Sequence, residues 1–574
     1  MHSLIEKHFP TTALFNNNTP NKNILILKNF IIVSLIVLCT FCLQMQYVGT
    51  KLYGNNDWRV WPSEMFGGGV PKHLQEYGVQ TLFDKNIAGW DGQFHYYIAN
   101  DLLNNHDTVK SIDAPIYRWQ RIGLPLTAKF FSVILGYDYV TSGVYHLSGL
   151  LFFFIALFIF ANFITNRGLN VLYILPWALS PGIHLTLLHG LPDALADSYF
   201  LIAFISLLTK RFRLYAIFIT LAALTRESYI LPAFIFFTMA FLGIFKKEDK
   251  FKVFPLIKFA IPGIIFLIIQ FYINTYMFPA LTSSGSLATI NAGILNFPFI
   301  EFVKFYYNSI STLKLSEFIF LSFFIVTLSL STYGAYKSSK VKKEFLVFIP
   351  MIVLMASFGH IVMFNYSGYM KGISILYAIL PMTFIYVKEK NYLVISTLFL
   401  LIYSMVGFYR GFIKAKIEQK WIPTPVLNSG TPDLVNQNIP SVVVNDFNAE
   451  FKLGKKLDKN KFVNMPFSQL FLQDYIEQEV IIKNLSKDIW YSKGNIADNK
   501  SFSVTYGYVR NSEPSKIKYL GLRFKLPKDI YPNEEFKIKI IALKPNHRKY
   551  SNIKVAMMQD GNQTFDKGIN LSFG

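Results

Sequence analysis

The sequence predicts a polytopic α-helical membrane protein that carries a C-terminal, extracytoplasmic antiparallel β-sandwich. Of its 574 residues, 52% are hydrophobic and 17% aromatic, whereas only 16% are charged. That balance is too apolar for a soluble protein of this length. Long apolar runs recur through the first four hundred residues, whereas the last hundred alternate short strand-like segments with turns. We therefore expect a membrane-embedded part followed by a smaller soluble domain.

About eleven apolar runs are candidates for membrane-spanning helices. A hydrocarbon core of about 30 Å requires about 20 apolar residues in helical conformation. The runs lie at residues 24–47, 140–164, 169–187, 191–209, 212–225, 228–245, 257–277, 317–336, 345–364, 370–387 and 391–411. Only the TRES sequence (225–228) separates the fifth run from the sixth, so the number of spans across 212–245 stays open.

The distribution of basic residues predicts the orientation. With residues 1–23 in the cytoplasm, the short turns on the far side carry little beyond Arg226 and Lys371, as the positive-inside rule requires. The cytoplasmic turns carry Arg167; Lys210, Arg211 and Arg213; Lys246, Lys247, Lys250 and Lys252; Lys337, Lys340, Lys342 and Lys343; and Lys388 and Lys390. An odd number of spans then places residues 412–574 outside, in a multi-pass protein of the plasma or inner membrane.

These juxtamembrane clusters also explain much of the formal net charge of +21. Basic clusters beside membrane spans suit anionic membrane lipid. Basic charge without a binding motif is weak evidence for nucleic acid. We therefore expect membrane lipid, and not nucleic acid, as a partner.

The chain divides into a cytoplasmic tail (1–23), a transmembrane domain (24–411) with a first outside loop at 48–139, a connector (412–475) and the β-sandwich (476–574). The sandwich is predicted from segments that are rich in β-branched and aromatic residues and are separated by turn signals. These segments are EVIIKNLS, SFSVTYGYV, KYLGLRFKLP, EEFKIKIIAL and NIKVAMMQDG.

Shorter elements are expected in the first outside loop and in the connector. Residues 74–83 and 91–103 have the pattern of amphipathic helices that lie along the membrane surface. Residues 124–136 are apolar but too short to span, so they are expected in the interface or re-entering it. In the connector, SVVVNDF (441–447) predicts a strand.

The first outside loop combines acidic, basic and aromatic residues in GWDGQFHYYIA (89–99) and DAPIYRWQRIGLP (113–125). Asp91 opens a predicted helix and lies four residues before His95, so the two side chains share a face if the helix starts there. Asp113 is followed by Arg118 and Arg121. Ionisable groups gathered just outside a bilayer indicate a functional site.

This combination suits transfer of a sugar from a phosphate-linked donor. Such a reaction needs a base for the acceptor hydroxyl and cations for the departing phosphate, but no general acid. The catalytic candidates are Asp91, Asp113 and His95. Arg118 and Arg121 are candidates for phosphate binding. The alternatives are that Asp91 caps its helix, that His95 is an ordinary interfacial histidine, and that the arginines snorkel to lipid headgroups.

Turns further along the chain add candidates for binding the donor. HGLPDALADSYF (189–200) places His189 and Asp193 where one span ends and the next begins, TRES supplies Arg226, and Lys371 lies at a third turn. A guanidinium can bind phosphate through two parallel hydrogen bonds, which favours Arg226. The alternatives are a salt bridge between Arg226 and its neighbour Glu227, and helix capping by His189 and Asp193.

The layout resembles that of GT-C glycosyltransferases: one long span, an outside loop with an acidic residue, then a polytopic bundle. WDGQFHYYIA and DAPIYRWQR are loosely similar to the first-loop motifs of protein mannosyltransferases and lipid A aminoarabinose transferases, and LAALTRESYILP resembles bacterial members of this group. The resemblance covers residues 24–411 and implies that Asp91 is the base and that the donor is a polyprenyl-phosphate-linked sugar. Those families carry adjacent acidic residues, whereas Gly92 follows Asp91 in this chain.

The C-terminal segments resemble a β-sandwich of bacterial cell-surface polysaccharide-modifying proteins. The resemblance implies a role in binding glycan or positioning a glycan or lipid acceptor. Trp490, Tyr506 and Arg523 are candidates for sugar contacts, with packing in the core as the main alternative.

No cofactor is predicted. The first loop has no DxD sequence and its histidines lack ligand spacing, so nothing in the sequence supports a divalent cation, although the chemistry would accommodate one. Neither a P-loop nor a Rossmann glycine fingerprint is present, which disfavours nucleotide sugars as direct donors. Two other classes stay open: a polysaccharide flippase or transporter, and a non-catalytic protein of cell-surface polysaccharide assembly.

Overall fold

A computed structural model provides the structure of the chain. It describes residues 22–51, 60, 62, 69–76, 79, 89–106, 108–243, 253–278, 294–311, 315–363, 366–387, 389–408, 447–456, 475–492, 502–510, 513–526, 528–543, 550–559 and 564–572. Two compact units are formed, one from Met1–Gln44 with Asp91–Ala415 and the other from Met45–Trp90 with Lys416–Gly574. The first is helical in its described part, and the second contains the strands.

The helices follow one another as α1 Lys22–Lys51, α2 Lys72–Glu76, α3 Gly92–Asn100, α4 Pro115–Trp119, α5 Gly123–Ile134, α6 Ser142–Thr165, α7 Leu175–Ala178, α8 Pro181–Leu188, α9 Asp193–Leu208, α10 Phe212–Thr225, α11 Ile230–Phe241, α12 Val253–Tyr272, α13 Ile300–Ser311, α14 Leu315–Ser339, α15 Phe348–Ala356, α16 His360–Met363, α17 Tyr366–Gly372, α18 Leu376–Val387 and α19 Lys390–Phe408. Short 3₁₀ segments precede α7, α11 and α15, and a π-helical turn, Ile273–Met277, follows α12.

Four described helices are long and apolar enough to cross a membrane: Asn23–Gln44, Ser142–Thr165, Leu256–Met277 and Glu317–Ser339. A fifth crossing results if Val171–Ala178 and Pro181–Leu188, which meet at a bend of 57°, form one span. This is fewer than the eleven predicted. The difference arises because several predicted runs are shorter helices, such as α10, or are interrupted by turns, as in the run 345–364.

Polar and aromatic contacts join α1 to α6. Asn29 lies in the apolar α1, and its Nδ2 donates to Asn162 Oδ1 at 3.0 Å and to Thr165 Oγ1 at 2.8 Å. A buried amide in an apolar helix is costly without partners, so these bonds fix the pairing of the two helices. The Phe30 ring packs edge-on against Phe154 at a centroid distance of 5.8 Å.

Two helices of the first outside loop, α3 and α5, have opposite environments. Every residue of α3 from Gly92 to Ala99 is buried, so the prediction that this segment lies along the membrane surface is wrong. Its aromatic side chains are buried. The Tyr96 ring, for example, packs edge-on against the Tyr145 ring at a centroid distance of 5.5 Å. In α5, by contrast, apolar side chains such as Phe130 and Ile134 are exposed, as a helix at a membrane interface requires.

The C-terminal part contains two antiparallel sheets. The strands are β1 Ala449–Lys456, β2 Tyr475–Asn484, β3 Phe502–Arg510, β4 Glu513–Lys525, β5 Glu535–Leu543, β6 Tyr550–Gln559 and β7 Thr564–Ser572. One sheet has the order β1-β2-β5 and the other β4-β3-β6-β7. Each of the five predicted strand segments overlaps one of these strands. β1 lies inside the predicted connector and pairs with β2, so the sheets begin earlier than expected. The predicted strand at 441–447 lies almost wholly outside the described residues.

Alternate residues are buried in β2, whereas residues 502–507 of β3 are all buried. In β2, Val480 and Ile482 are buried, and in β3, Val504 and Tyr506 are buried. Trp490 is also buried, and its ring stacks on Phe447 and Phe502. Trp490 and Tyr506 are therefore core residues, so the suggestion that they contact sugar is wrong; the side chain of Arg523 lies outside the described residues.

Candidate functional site

A close approach between backbones fixes the position of Asp91. Asp91 precedes α3, and Gly92 packs directly against the turn between α8 and α9. A Cβ atom on Gly92 would lie 2.0 Å from the carbonyl oxygen of His189, so no larger residue fits there without a shift of the backbone. Glycine at this position is therefore required by the packing. The Asp91 side chain makes no capping hydrogen bond to α3, so capping does not account for this residue.

Arg118 is held between two carboxylates. Its Nη1 lies 3.0 Å from Asp91 Oδ2, and its Nη2 lies 3.1 Å from Asp91 Oδ1. Its Nε donates to Asp113 Oδ1 at 3.0 Å, and Nη2 donates to Asp113 Oδ2 at 2.8 Å. The guanidinium also lies 4.8 Å from the centre of the Phe94 ring. We call Asp91, Arg118 and Asp113 the carboxylate clamp. All three guanidinium nitrogens are used, so Arg118 does not snorkel to lipid.

The clamp keeps Asp91 ionised and accessible. The Arg118 side chain is 7% exposed, whereas that of Asp91 is 46% exposed. Burial around the carboxyl opposes its ionisation, but the nearby charges of Arg118 and Lys371 outweigh that effect and hold the pKa of Asp91 well below its usual range. Asp91 is therefore a carboxylate at physiological pH.

A second ion pair, partly buried, joins α4 and its following turn to the turn after α10. Arg121 Nε donates to Glu227 Oε2 at 2.7 Å, and Nη2 lies 2.6 Å from Glu227 Oε1. Nη2 also donates to the hydroxyl of Tyr117. Glu227 thus pairs with a residue of the first outside loop, so a salt bridge between Arg226 and Glu227 is not the arrangement found.

The close approach of α5 to α10 makes this pairing possible. A Cβ atom on Gly123 would lie 2.7 Å from the backbone nitrogen of Thr225, the last residue of α10. Arg226 and Glu227 follow directly. In the sequence, Gly123 follows Arg121 by two positions and indicates a close backbone approach. The sequence does not show that the approach is to Thr225, about a hundred residues further on.

Arg226 points to a different acid. Its Nη1 lies 3.0 Å from Oδ1 of Asp193, which is buried at the start of α9. This is the one hydrogen-bonding or ionic contact within 4 Å that the Arg226 guanidinium makes with described residues, so Nε and Nη2 retain donors. Asp193 lies in the first turn of α9, and its carboxylate pairs with Arg226.

Lys371, near the end of α17, completes the group of cations. It acts electrostatically on both Asp91 and Asp193. Among the described residues, no carboxylate lies within 4 Å of its ammonium group. Gly182 lets α8 approach the end of α17, since a Cβ atom on Gly182 would lie 2.9 Å from Lys371 Cα. We call Arg226 and Lys371 the open cation pair, because both retain donors for a further anion.

Both candidate histidines lie in the interior. His95 is fully buried, and neither ring nitrogen has a hydrogen-bond partner in the described part of the chain. Burial, reinforced by the charges of Arg118 and Arg121, lowers the pKa of His95 to about 3. His95 is therefore a neutral imidazole and not an interfacial residue. His189 is the C-cap of α8 and is buried; its carbonyl oxygen faces Gly92.

Sequence reasoning missed a buried acid, Asp197, that is connected by hydrogen bonds to the segments bearing the open cation pair. Asp197 accepts a hydrogen bond from the hydroxyl of Tyr229, and its other carboxyl oxygen is hydrogen-bonded to the hydroxyl of Ser374. It lies one helical turn after Asp193 in DALAD, a spacing of four that places both acids on one face of α9. That repeat in an otherwise apolar helix was the signal available in the sequence.

The nine residues proposed from sequence thus lie close together. Direct contacts or electrostatic interactions link eight of them, and His189 adjoins them through Gly92. We call them, with Glu227, the charged cluster. Its four carboxylates balance its three arginines and one lysine. In the described ranges, no three histidine, cysteine or acidic side chains are arranged to hold a metal ion.

No protein-family model, curated protein or solved structure matches this chain.

Proposed function

We propose that this protein is a GT-C-like membrane glycosyltransferase that transfers a sugar from a polyprenyl-phosphate-linked donor to a cell-surface glycan or lipid acceptor. One observation carries the proposal: an ionised, half-exposed carboxylate, Asp91, lies within electrostatic range of Lys371, which also acts on Asp193, the partner of Arg226, and both cations retain unused donors. Asp91 and Arg226 flank helices and Lys371 lies in the last turn of α17, in a chain with several helices suited to a membrane.

The roles follow from what the transfer requires. Asp91 accepts the proton of the acceptor hydroxyl, because it is ionised and reachable. Arg226 and Lys371 bind the departing phosphate, which leaves as an anion and needs no proton. Arg118, with Asp113, holds Asp91 in place. Arg121 is held by Glu227 in the same way, so its part is to fix the loop to the turn that bears Arg226.

Binding of the donor also strengthens the base. A carboxylate with a depressed pKa is a weak proton acceptor, and general bases act best when their pKa lies near the working pH. Lys371 is one of the charges that depress the pKa of Asp91. A phosphate on Lys371 neutralises that influence, so the pKa of Asp91 rises when the donor is present. His95 is buried and neutral, so no step of the transfer is assigned to it.

The proposal includes the finer topology. We infer eleven spans with the N-terminus in the cytoplasm, the open cation pair and the first loop on the outer face, and the two sheets outside as a β-sandwich that positions the acceptor. This topology is supported by the charge asymmetry of the predicted turns. It is also supported by shorter apolar helices whose residues fall within several of the other predicted spans. Lipid-linked sugars are the donors expected on that face.

The test is transfer by the purified protein reconstituted with a polyprenyl-phosphate sugar and a surface glycan or lipid acceptor. Asp91→Asn should abolish transfer while the apparent melting temperature stays close to that of the wild type. Asp138→Asn, an exposed acid of the same loop, is the matched control and should be fully active. Full activity of Asp91→Asn would sink the assignment of the base.

A transporter is the second candidate, and the bent pair α7–α8 favours it. Broken helices beside buried ionisable residues are typical of transporters, and here the 57° break lies in the helix pair preceding α9, which carries Asp193 and Asp197. Vesicles distinguish the two functions. Movement of a lipid-linked glycan across the bilayer without a new glycosidic bond would support transport and overturn transfer.

A further inference from the structure

Asp197 lies at the junction of the three elements that bear the acid partner and the open cation pair. It is 1% exposed and belongs to α9, one turn after Asp193. Its Oδ1 accepts from the hydroxyl of Tyr229, and the backbone nitrogen of Tyr229 donates to the carbonyl oxygen of Arg226 at 3.0 Å. Its Oδ2 contacts the hydroxyl of Ser374.

Ser374 continues the connection to the other cation. Its Oγ lies 2.8 Å from the carbonyl oxygen of Lys371 as well as within hydrogen-bond distance of Asp197 Oδ2. A serine hydroxyl has one proton, so it can donate to only one of these two acceptors. If Asp197 is ionised, either Asp197 or the Lys371 carbonyl goes without that bond.

A protonated Asp197 satisfies every group. Tyr229 then donates to Oδ1, the carboxylic acid donates through Oδ2 to Ser374, and Ser374 donates to the carbonyl of Lys371. The one nearby guanidinium, that of Arg226, is already paired with Asp193 at 3.0 Å. A buried acid that is fully hydrogen-bonded in its neutral form also avoids the cost of an unpaired buried charge.

We propose that Asp197, in its protonated form, is a positioning residue that fixes Arg226 and Lys371 relative to each other for binding of a lipid-linked phosphate. Asp197 touches neither the phosphate nor the reacting atoms. It acts through Tyr229 on the turn that carries Arg226 and through Ser374 on the end of α17, which carries Lys371. This inference rests on the proposed function, since it takes the open cation pair as the phosphate site.

The test uses the full chain in lipid nanodiscs and measures binding of polyprenyl monophosphate, with uncharged polyprenol as the reference ligand. Asp197→Asn mimics the protonated acid, because its amide donates to Ser374 and its oxygen accepts from Tyr229. It should bind the phosphate within about twofold of the wild type, whereas Asp197→Leu and Ser374→Ala should bind about tenfold more weakly, as expected for the loss of buried hydrogen bonds.

Three controls make the result specific. Ser198→Ala alters the adjacent buried residue, whose hydroxyl bonds only its own helix at Ala194, and should bind normally. Binding of polyprenol should be equal in all variants, since the cations act on the phosphate alone. Ser374→Ala removes one oxygen atom and serves as the readout if Asp197→Leu does not fold.

Several outcomes would overturn the inference. Asp197→Asn binding as weakly as Asp197→Leu would show that the negative charge is what matters. Normal phosphate binding by Ser374→Ala would show that the connection to Lys371 has no role. Absence of phosphate binding by the wild type would remove the phosphate site itself. A wild type that binds the phosphate but transfers no sugar would refute the proposed function and leave this inference standing.

Discussion

The carboxylate clamp and the open cation pair use the same kinds of side chain to opposite effect. In the clamp, Arg118 has two acids and spends all three of its nitrogens on them. In the open cation pair, Arg226 has one acid at one nitrogen, and no described acid lies within 4 Å of the Lys371 ammonium. The number of cations near a site therefore says little about anion binding. Anion binding depends on the number of guanidinium and ammonium donors that are not already bound to carboxylates of the protein.

The difference separates stability from binding. A guanidinium buried between two carboxylates leaves both uncompensated when it is removed, so its loss is felt by the fold. A lysine without a close partner leaves nothing unpaired when it is removed. Substitutions in the clamp should therefore destabilise the protein, whereas substitution of Lys371 should weaken phosphate binding alone.

The largest effect is expected from Arg118→Ala. Removing one partner of a buried pair costs about 3–5 kcal/mol, and partial exposure of Asp91 and Asp113 reduces the expected loss to about 2–3 kcal/mol. The apparent melting temperature of the detergent-solubilised protein should fall clearly, and transfer should be lost because Asp91 is no longer held. Arg213→Ala, at an exposed arginine, is the control and should melt like the wild type. An unchanged melting temperature for Arg118→Ala would show that the clamp does not stabilise the fold.

An intermediate effect, confined to binding, is expected from Lys371→Gln. A charge-assisted hydrogen bond contributes about 1.5–3 kcal/mol, so kcat/KM for the lipid-linked donor should fall about ten- to a hundredfold. The melting temperature should stay at the wild-type value. Lys129→Gln, in the first outside loop, should leave both quantities unchanged. If Lys371→Gln lowered the melting temperature but bound the donor normally, Lys371 would stabilise the fold as the carboxylate clamp does and would not bind phosphate.

The sequence predicted which residues lie in the charged cluster because such groups are rare in so apolar a chain and gather at the ends of apolar runs. It did not predict their pairing. Arg118 bonds an acid 27 positions away and Arg121 one 106 positions away, and backbone approaches at Gly92 and Gly123 decide both.

Element types were predicted better than their environments. The helix at α3 was expected, but its burial was not, because an aromatic residue can pack equally well in a core or at a membrane interface. Breaks such as that between α7 and α8 were also missed, since Pro181 within an apolar run does not interrupt the hydropathy signal.

The smallest effect, a change in the pH dependence of stability, is expected from His95→Gln. The pKa of His95 falls from 6.5 in the unfolded chain to about 3 in the folded protein. Between these values the unfolded chain binds the proton and the folded protein does not, so stability decreases as pH falls below about 6.5, by at most about 1.4 kcal/mol per pH unit. The pKa values of Asp91 and Glu227 are also lowered in the folded protein. Protonation of these two carboxylates destabilises the protein only below about pH 4.5.

Melting temperatures at pH 7.5, 6.0 and 5.0 therefore isolate the histidine. The wild type should lose stability across this range, and His95→Gln, which cannot titrate, should lose less. His106→Gln removes an exposed histidine and should follow the wild type. Parallel curves for the wild type and His95→Gln would mean that the imidazole is solvated or protonated in the folded protein. In that case water or a ligand reaches His95, and the region around the carboxylate clamp would be accessible, as the open cation pair is.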